Sequence, residues 1–265
     1  MDIYVISPLS NLEAMKKGDR TFVLAHLWMK SEKYRAFIME RKAEGQFLTL
    51  DNSAAERSLV TEDALIKICH ELMPNEVIAP DVLFDADATM ANLDSFVERM
   101  TEEGLLHNIN IFFCPQGKSQ EEWLSCYEYG LDNDFVNVIG FSKIAVPNAW
   151  LGIDGDQGIK EGRHNAYNYL LANDMLKKPI HCLGQGDVSE FMYYKHPMMR
   201  STDSVYPVMA AMNGIDFESN EFERIPTPHD YLETEVAPNK DQEALINKNV
   251  RVLRWCAFQG ESDRL

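Results

Sequence analysis

The sequence predicts an α/β fold, and within that class a (β/α)8 barrel built as one domain over residues 1–265. Three observations lead there. Eight short runs rich in β-branched and aromatic residues recur along the chain. Most are followed by a stretch with helical spacing of apolar residues. The units repeat at roughly 25–35 residues, as parallel βαβ units do. Eight such units favour a closed barrel over an open doubly wound sheet. With 45% hydrophobic residues, the chain can bury a large core.

The first run is Asp2–Ser7, with a short polar segment behind it. Thr21–Trp28 is the second, followed by a helix from Ser31 to Ala43 with Ser31 as its N-cap and Glu32 in its first turn. Phe47–Asp51 precedes Thr61–Leu72, where Ala64, Leu65, Ile68, Cys69 and Leu72 share a face. Glu76–Val82 precedes a helix over Ala86–Glu103. Asn108–Cys114 precedes Ser119–Leu131, which opens on a capping sequence, Ser119-Gln120-Glu121-Glu122. Val136–Ser142 leads into a Gly/Asp-rich loop, Gly152–Gly158, and a helix near Ile159–Asn173. Pro179–Leu183 precedes Val188–Tyr194. The eighth run approaches Asp203, and a helix over Val205–Asn213 follows it. Residues 217–239 read as loop. A terminal helix over 240–258, with Leu245, Val252, Leu253, Trp255 and Cys256 apolar, is expected to close the barrel.

Composition excludes several classes. No apolar run approaches the ~18 residues that span a bilayer, so no membrane association is expected. The start, Met1-Asp2-Ile3-Tyr4, does not resemble a signal peptide, which points to the cytoplasm. Cys69, Cys114, Cys126, Cys182 and Cys256 are scattered through apolar segments and read as reduced core residues. No C-x-C or C-x2-C occurs, so no structural zinc and no cofactor are expected. The net charge of −17 argues against tight, autonomous nucleic-acid binding while leaving room for a local basic rim. Arg57, Lys118, Lys143, Arg163, Lys195 and Arg200 are the candidates for that rim. No dinucleotide fingerprint or Walker loop is present, and Gly184-Gln185-Gly186 reads as a tight turn.

In a barrel all strand carboxyl ends open on one face, which carries the chemistry. Here those ends hold Asp51-Asn52-Ser53, Asp81 with Asp85 beyond it, Gln116-Gly117, Gly140 to Lys143, Gly184-Gln185 and Asp203. Each Asp alone fits a helix cap or turn. Several on one rim suit a site in which two carboxylates work on a glycosidic carbon, one as nucleophile and one moving the proton. A third Asp and a Gln suit the donors and acceptors of a planar heterocycle.

The blocks Leu50-Asp51-Asn52-Ser53-Ala54-Ala55-Glu56, Ala79-Pro80-Asp81-Val82 with Asp85-Ala86-Asp87-Ala88-Thr89, Pro115-Gln116-Gly117, Leu183-Gly184-Gln185-Gly186 and Ser201-Thr202-Asp203-Ser204 occur in that order. Together they resemble the ordered motifs of the queuine tRNA-ribosyltransferase (tRNA-guanine transglycosylase) superfamily. The pattern around Asp81 is most similar to the DpdA-like DNA 7-deazaguanine transglycosylases of phages and bacteria. The resemblance covers about residues 20–215. It implies exchange of guanine in DNA for a free 7-deazaguanine base through a covalent glycosyl-aspartate. Asp203 would be the nucleophile and Asp51 the general acid/base. Asp81 would hold the guanine edge, with Asp85 as a further candidate, and Gln116, Gly117 and Gly140 would contact the base. Arg200 would steer a phosphate or pair with a carboxylate, Lys143 and Lys118 would meet nucleic acid, and a protein partner could aid DNA engagement. The sequence departs from the tRNA enzymes in lacking their Cys/His zinc cluster and the Gly-rich turn where Asn52-Ser53-Ala54-Ala55 stands. Exchange on tRNA, a base-releasing glycosidase and a catalytically inactive binding module remain alternatives.

Overall fold

The structure is a computed structural model. It describes residues 1–54, 60–153, 158–185, 187–219, 225–228 and 230–262, with side chains as far as residue 258. Eight strands form it: β1 (Asp2–Val5), β2 (Thr21–Leu24), β3 (Leu48–Asp51), β4 (Glu76–Ile78), β5 (Asn110–Phe113), β6 (Val136–Ser142), β7 (Ile180–Leu183) and β8 (Met199–Ser204). They make one sheet in the order β1-β8-β7-β6-β5-β4-β3-β2, and every neighbouring pair is parallel. A single bridge between Tyr4 and Arg20, just before β2, brings the two edges together and nearly closes the barrel. Around it lie α1 (Ala25–Lys30), α2 (Glu32–Ala43), α3 (Glu62–Leu72), α4 (Ala86–Glu102), α5 (Gln120–Asp132), α6 (Ala145–Leu151), α7 (Ile159–Ala172), α8 (Tyr206–Met212) and α9 (Lys240–Ser262). This is the (β/α)8 barrel expected from the alternation of strand and helix patterns.

Local chemistry sets most helix starts. Ser31, Thr61, Asp85 and Ser119 each accept a backbone N–H three residues on, from Tyr34, Ala64, Ala88 and Glu122. Two strands are shorter than expected, one through a tertiary contact and one through a proline. The run Thr21–Trp28 stops being strand at Leu24, whose N–H is taken by the Tyr34 hydroxyl at 3.0 Å, and turns into α1. Its residues are buried throughout, so apolar periodicity could not separate strand from helix there. The strand Glu76–Val82 stops at Ile78, just before Pro80, which has no N–H for a ladder. Leu9–Lys17 and Val188–Tyr193 are 3-10 segments, and α6 precedes the Gly/Asp-rich loop, whose residues 154–157 lie outside the described ones.

Contacts between non-neighbouring strands show that side chains fill the barrel. The Phe22 and His181 rings stack at 5.7 Å, with Tyr4 and Phe112 edge-on to the imidazole. Among the described residues after 217, only Tyr231–Glu233 and α9 are helical. The terminal helix buries Ile246, Val250, Leu253 and Cys256. Asn249 ties it to the rest by donating to the Pro207 and Ile215 carbonyls and accepting the Phe217 N–H. Trp255, expected on the buried face, is 54% exposed. All five cysteines are buried and unpaired. Among the described residues no helix is long and apolar enough to cross a membrane.

Candidate functional site

The carboxyl ends of the strands surround one pocket. Its wall takes Asp51 from the end of β3, Asp81 beyond β4, Gln116 beyond β5, Ser142 and Lys143 from the end of β6, Gln185 beyond β7 and Asp203 from β8. About 810 Å3 of empty space, the part open to solvent included, lies among them.

Asp203 is inside β8 and is 6% exposed. It is not the cap of the helix that follows: α8 starts after Val205 without a side-chain cap, and the Ser204 hydroxyl takes the Tyr206 N–H. Instead Asp203 Oδ1 accepts the Gly184 N–H at 2.9 Å and lies 3.0 Å from His181 Nε2. Burial pushes the His181 pKa down, so the ring is neutral. A neutral ring facing a carboxylate carries its proton on Nε2, and Nδ1 then accepts from the Ser201 hydroxyl at 2.8 Å. Ser201 and Asp203 point the same way because they are two apart on one strand. His181 meets them because it pairs with Ser201 across the β7–β8 ladder.

Asp51 ends β3 and is 9% exposed. Its Oδ2 accepts the Ser53 N–H at 2.9 Å. Ser53 is fully buried with φ +61°, a left-handed conformation that a non-glycine residue adopts at some cost. Its hydroxyl sits 2.9 Å from His26 Nδ1 and 3.3 Å from the His26 N–H, which secures the turn. Burial, then the Lys30 charge, pushes the His26 pKa down to about 4.

Asp81 is gripped by two amides. Asn52 Nδ2 donates to Oδ1 at 2.7 Å, and Gln116 Nε2 donates to Oδ2. Asn52 is anchored in turn on the Ala79 carbonyl at 2.8 Å, and Gln116 Oε1 accepts the Phe84 N–H at 3.1 Å. Burial pushes the Asp81 pKa up to about 6 despite these donors. Gln116 therefore holds one Asp81 oxygen and has both ends of its amide engaged.

Other expected site residues are placed differently. Asp85 is exposed and caps α4, 3.0 Å from the Ala88 N–H, away from the pocket wall. Gly117 and Gly140 do not line the pocket. A Cβ on Gly117 would collide with the Trp123 backbone at the start of α5. One on Gly140 would press on Phe112, Leu183 and Cys114 beneath the pocket floor. Of the rim, Lys143 lines the pocket and Lys118 is exposed at the turn before α5. Arg200 is corrected: it sits at the start of β8, roughly 10 Å along the strand from Asp203. There it reaches across the barrel to Glu76, with Nη1 and Nη2 at 2.9 and 2.8 Å from its carboxylate. Arg163 is also no rim residue. It is fully buried, paired with Glu190 at 3.1 Å and donating to the carbonyls of Gly184 and Leu183 behind the pocket. Arg57 and Gly186 lie outside the described residues.

Sequence reasoning missed His181 and Asn52 as members of the site. The signal for His181 was one imidazole in an otherwise apolar strand. Its partner was not visible, because ladder register joins residues twenty apart. No protein-family model matches the chain, and no curated protein matches it.

Proposed function

We propose that the protein is a transglycosylase that exchanges guanine in DNA for a 7-deazaguanine base. The observation that supports this reading is the grouping around one pocket of carboxylates from β3 and β8 with a third carboxylate held by two amides. The first two suit chemistry at a glycosidic carbon. The third suits the N1–H and exocyclic amine of guanine, two donors side by side.

The reaction proceeds in two displacements. An Asp203 oxygen attacks C1′ while the C1′–N9 bond breaks, and its electron pair goes to N9. Asp51 delivers a proton to the departing guanine. The Gly184 N–H and His181 hold Asp203 Oδ1 and fix the carboxylate for attack. The incoming base then gives its N9 proton to Asp51, N9 attacks C1′, and the Asp203 ester bond breaks. Configuration at C1′ is retained. A stacked guanine must first be flipped out, at a cost of a few kcal/mol. With Arg163 and Arg200 withdrawn into the interior, Lys118, Lys143 and Lys195 are the described rim candidates that remain outside it. DNA binding is accordingly weak, with a shallow salt dependence set by these few charges, and a basic partner protein would strengthen it.

The test is incubation of DNA, and separately tRNA, with protein and radiolabelled guanine. Label in DNA that is lost in Asp203→Asn supports the reading. Label only in tRNA moves the substrate to RNA. Guanine release without uptake marks a glycosidase, and no turnover on either nucleic acid ends the proposal.

A further inference from the structure

Gln185 differs from the other amides and from the carboxylates of the pocket. Asp203, Asp51, Asp81, Asn52 and Gln116 each make hydrogen bonds to protein groups. Gln185 lines the same pocket and is only 3% exposed, yet among the described residues neither its Oε1 nor its Nε2 has a hydrogen-bond partner. A buried amide with donor and acceptor both unmatched is an expensive state. At a pocket wall, a bound group that supplies one acceptor and one donor relieves it.

Where that group sits follows from the order of strands around the barrel. In the base-exchange reading the guanine N1–H and exocyclic amine meet Asp81 beyond β4, the O6 corner turns toward β5, and N9 faces Asp203 on β8. Going round a 7-deazaguanine from the O6 corner to N9, the position passed is C7. Going round the barrel from β5 to β8, the walls passed are β6 and β7, which carry Ser142, Lys143 and Gln185. The Ser142 oxygen accepts the N–H groups of Ile144 and Ala145, both at 3.1 Å, so its hydroxyl hydrogen is left to donate. Lys143 lies across Gly184, where a Cβ would stand 2.6 Å from its Cδ. That keeps the lysine stem against this wall.

We infer that Gln185 reads the C7 substituent of the incoming base, and that this substituent is a primary carboxamide. The inference rests on the base-exchange reading. A carboxamide matches Nε2 with its oxygen and Oε1 with its amine. A nitrile matches Nε2 alone. A carboxylate can take Nε2 and the Lys143 charge, but it leaves Oε1 facing a second acceptor. An aminomethyl group matches Oε1 and places an ammonium beside Lys143.

The test is calorimetric titration of the full chain with guanine and with free 7-deazaguanines carrying carboxamide, nitrile, carboxylate, aminomethyl or hydrogen at C7. The wild type is expected to bind the carboxamide at least about tenfold more tightly than the unsubstituted base. In Gln185→Leu that ratio should collapse to about twofold. Gln185→Glu should move the preference to the aminomethyl base, whose ammonium meets two acceptors. Each ratio is taken within one variant. Wild-type binding that ignores the C7 group, or a carboxamide preference kept in Gln185→Leu, overturns the role of Gln185 while guanine binding stands. Binding of no base at all, guanine included, overturns the base-exchange reading and this inference with it.

Discussion

At the amino ends of the strands, Glu76 is fully buried and meets Arg200 through two guanidinium contacts, with the Thr49 hydroxyl donating to Glu76 Oε1 at 2.6 Å. At the carboxyl ends, Asp203 is held by a neutral imidazole and a backbone N–H, and Asp81 by two amides. Both ends bury carboxylates in one barrel. The lower pair cancels its charge, whereas the upper groups are oriented with little of theirs cancelled. A neutralised carboxylate stabilises or positions. One held only by dipoles keeps its power to attack, to accept two donors, or to exchange a proton.

The contrast can be broken at either end. Asp203→Asn should lower base exchange by roughly 10³-fold or more and abolish the covalent adduct seen by intact-protein mass spectrometry. Melting should stay cooperative. At the other end, Arg200→Met leaves Glu76 buried without its cation and should cost about 3–5 kcal/mol in chemical denaturation. If Arg200→Met spared stability but weakened DNA binding, the surface role withdrawn above would return.

Asp81 sharpens the comparison through pH. Its folded pKa, about 6, lies above the ordinary 3.8, so the folded state resists its ionisation. Below 3.8 the group is protonated folded or unfolded and costs nothing. As pH rises through about 6 the penalty becomes complete, at most roughly 3 kcal/mol. Asp81→Asn removes that titration. Its stability relative to wild type should therefore rise between pH 4 and pH 7, whatever constant offset the altered hydrogen bonds add. Melting curves of both proteins across that range check it, and a flat difference would contradict the raised pKa of Asp81. The smallest effect is expected for His181→Gln: about 2 kcal/mol from a lost hydrogen bond to a carboxylate. A roughly tenfold fall in kcat with little change in KM for the base would identify His181 as a positioning residue; an effect on stability alone would make it structural.

Much of the barrel was legible because its signals are local. Ser31, Thr61 and Ser119 mark helix starts by capping chemistry that involves residues three apart. Alternation of strand and helix implies a parallel sheet, and eight repeats imply closure. Asp51, Asp81 and Asp203 could be placed on one mouth because every strand of such a barrel opens the same way. Asp85 carried two readings, base contact and helix cap, because the local rule that finds caps competes with any functional reading of an Asp before a helix; it is the cap.

Other features depend on partners far apart in the chain. Arg200 looked like a rim cation until β8 was set across from β4, where a buried carboxylate 124 residues earlier in the chain claims it. Arg163 was withdrawn in the same way by Glu190, and His181 acquired its role only through the β7–β8 register. Residue type and spacing establish which groups a chain owns and which faces they share. Packing decides which charge meets which. A buried ion must find its counter-charge wherever the fold brings one, and no pattern along the chain encodes that distance.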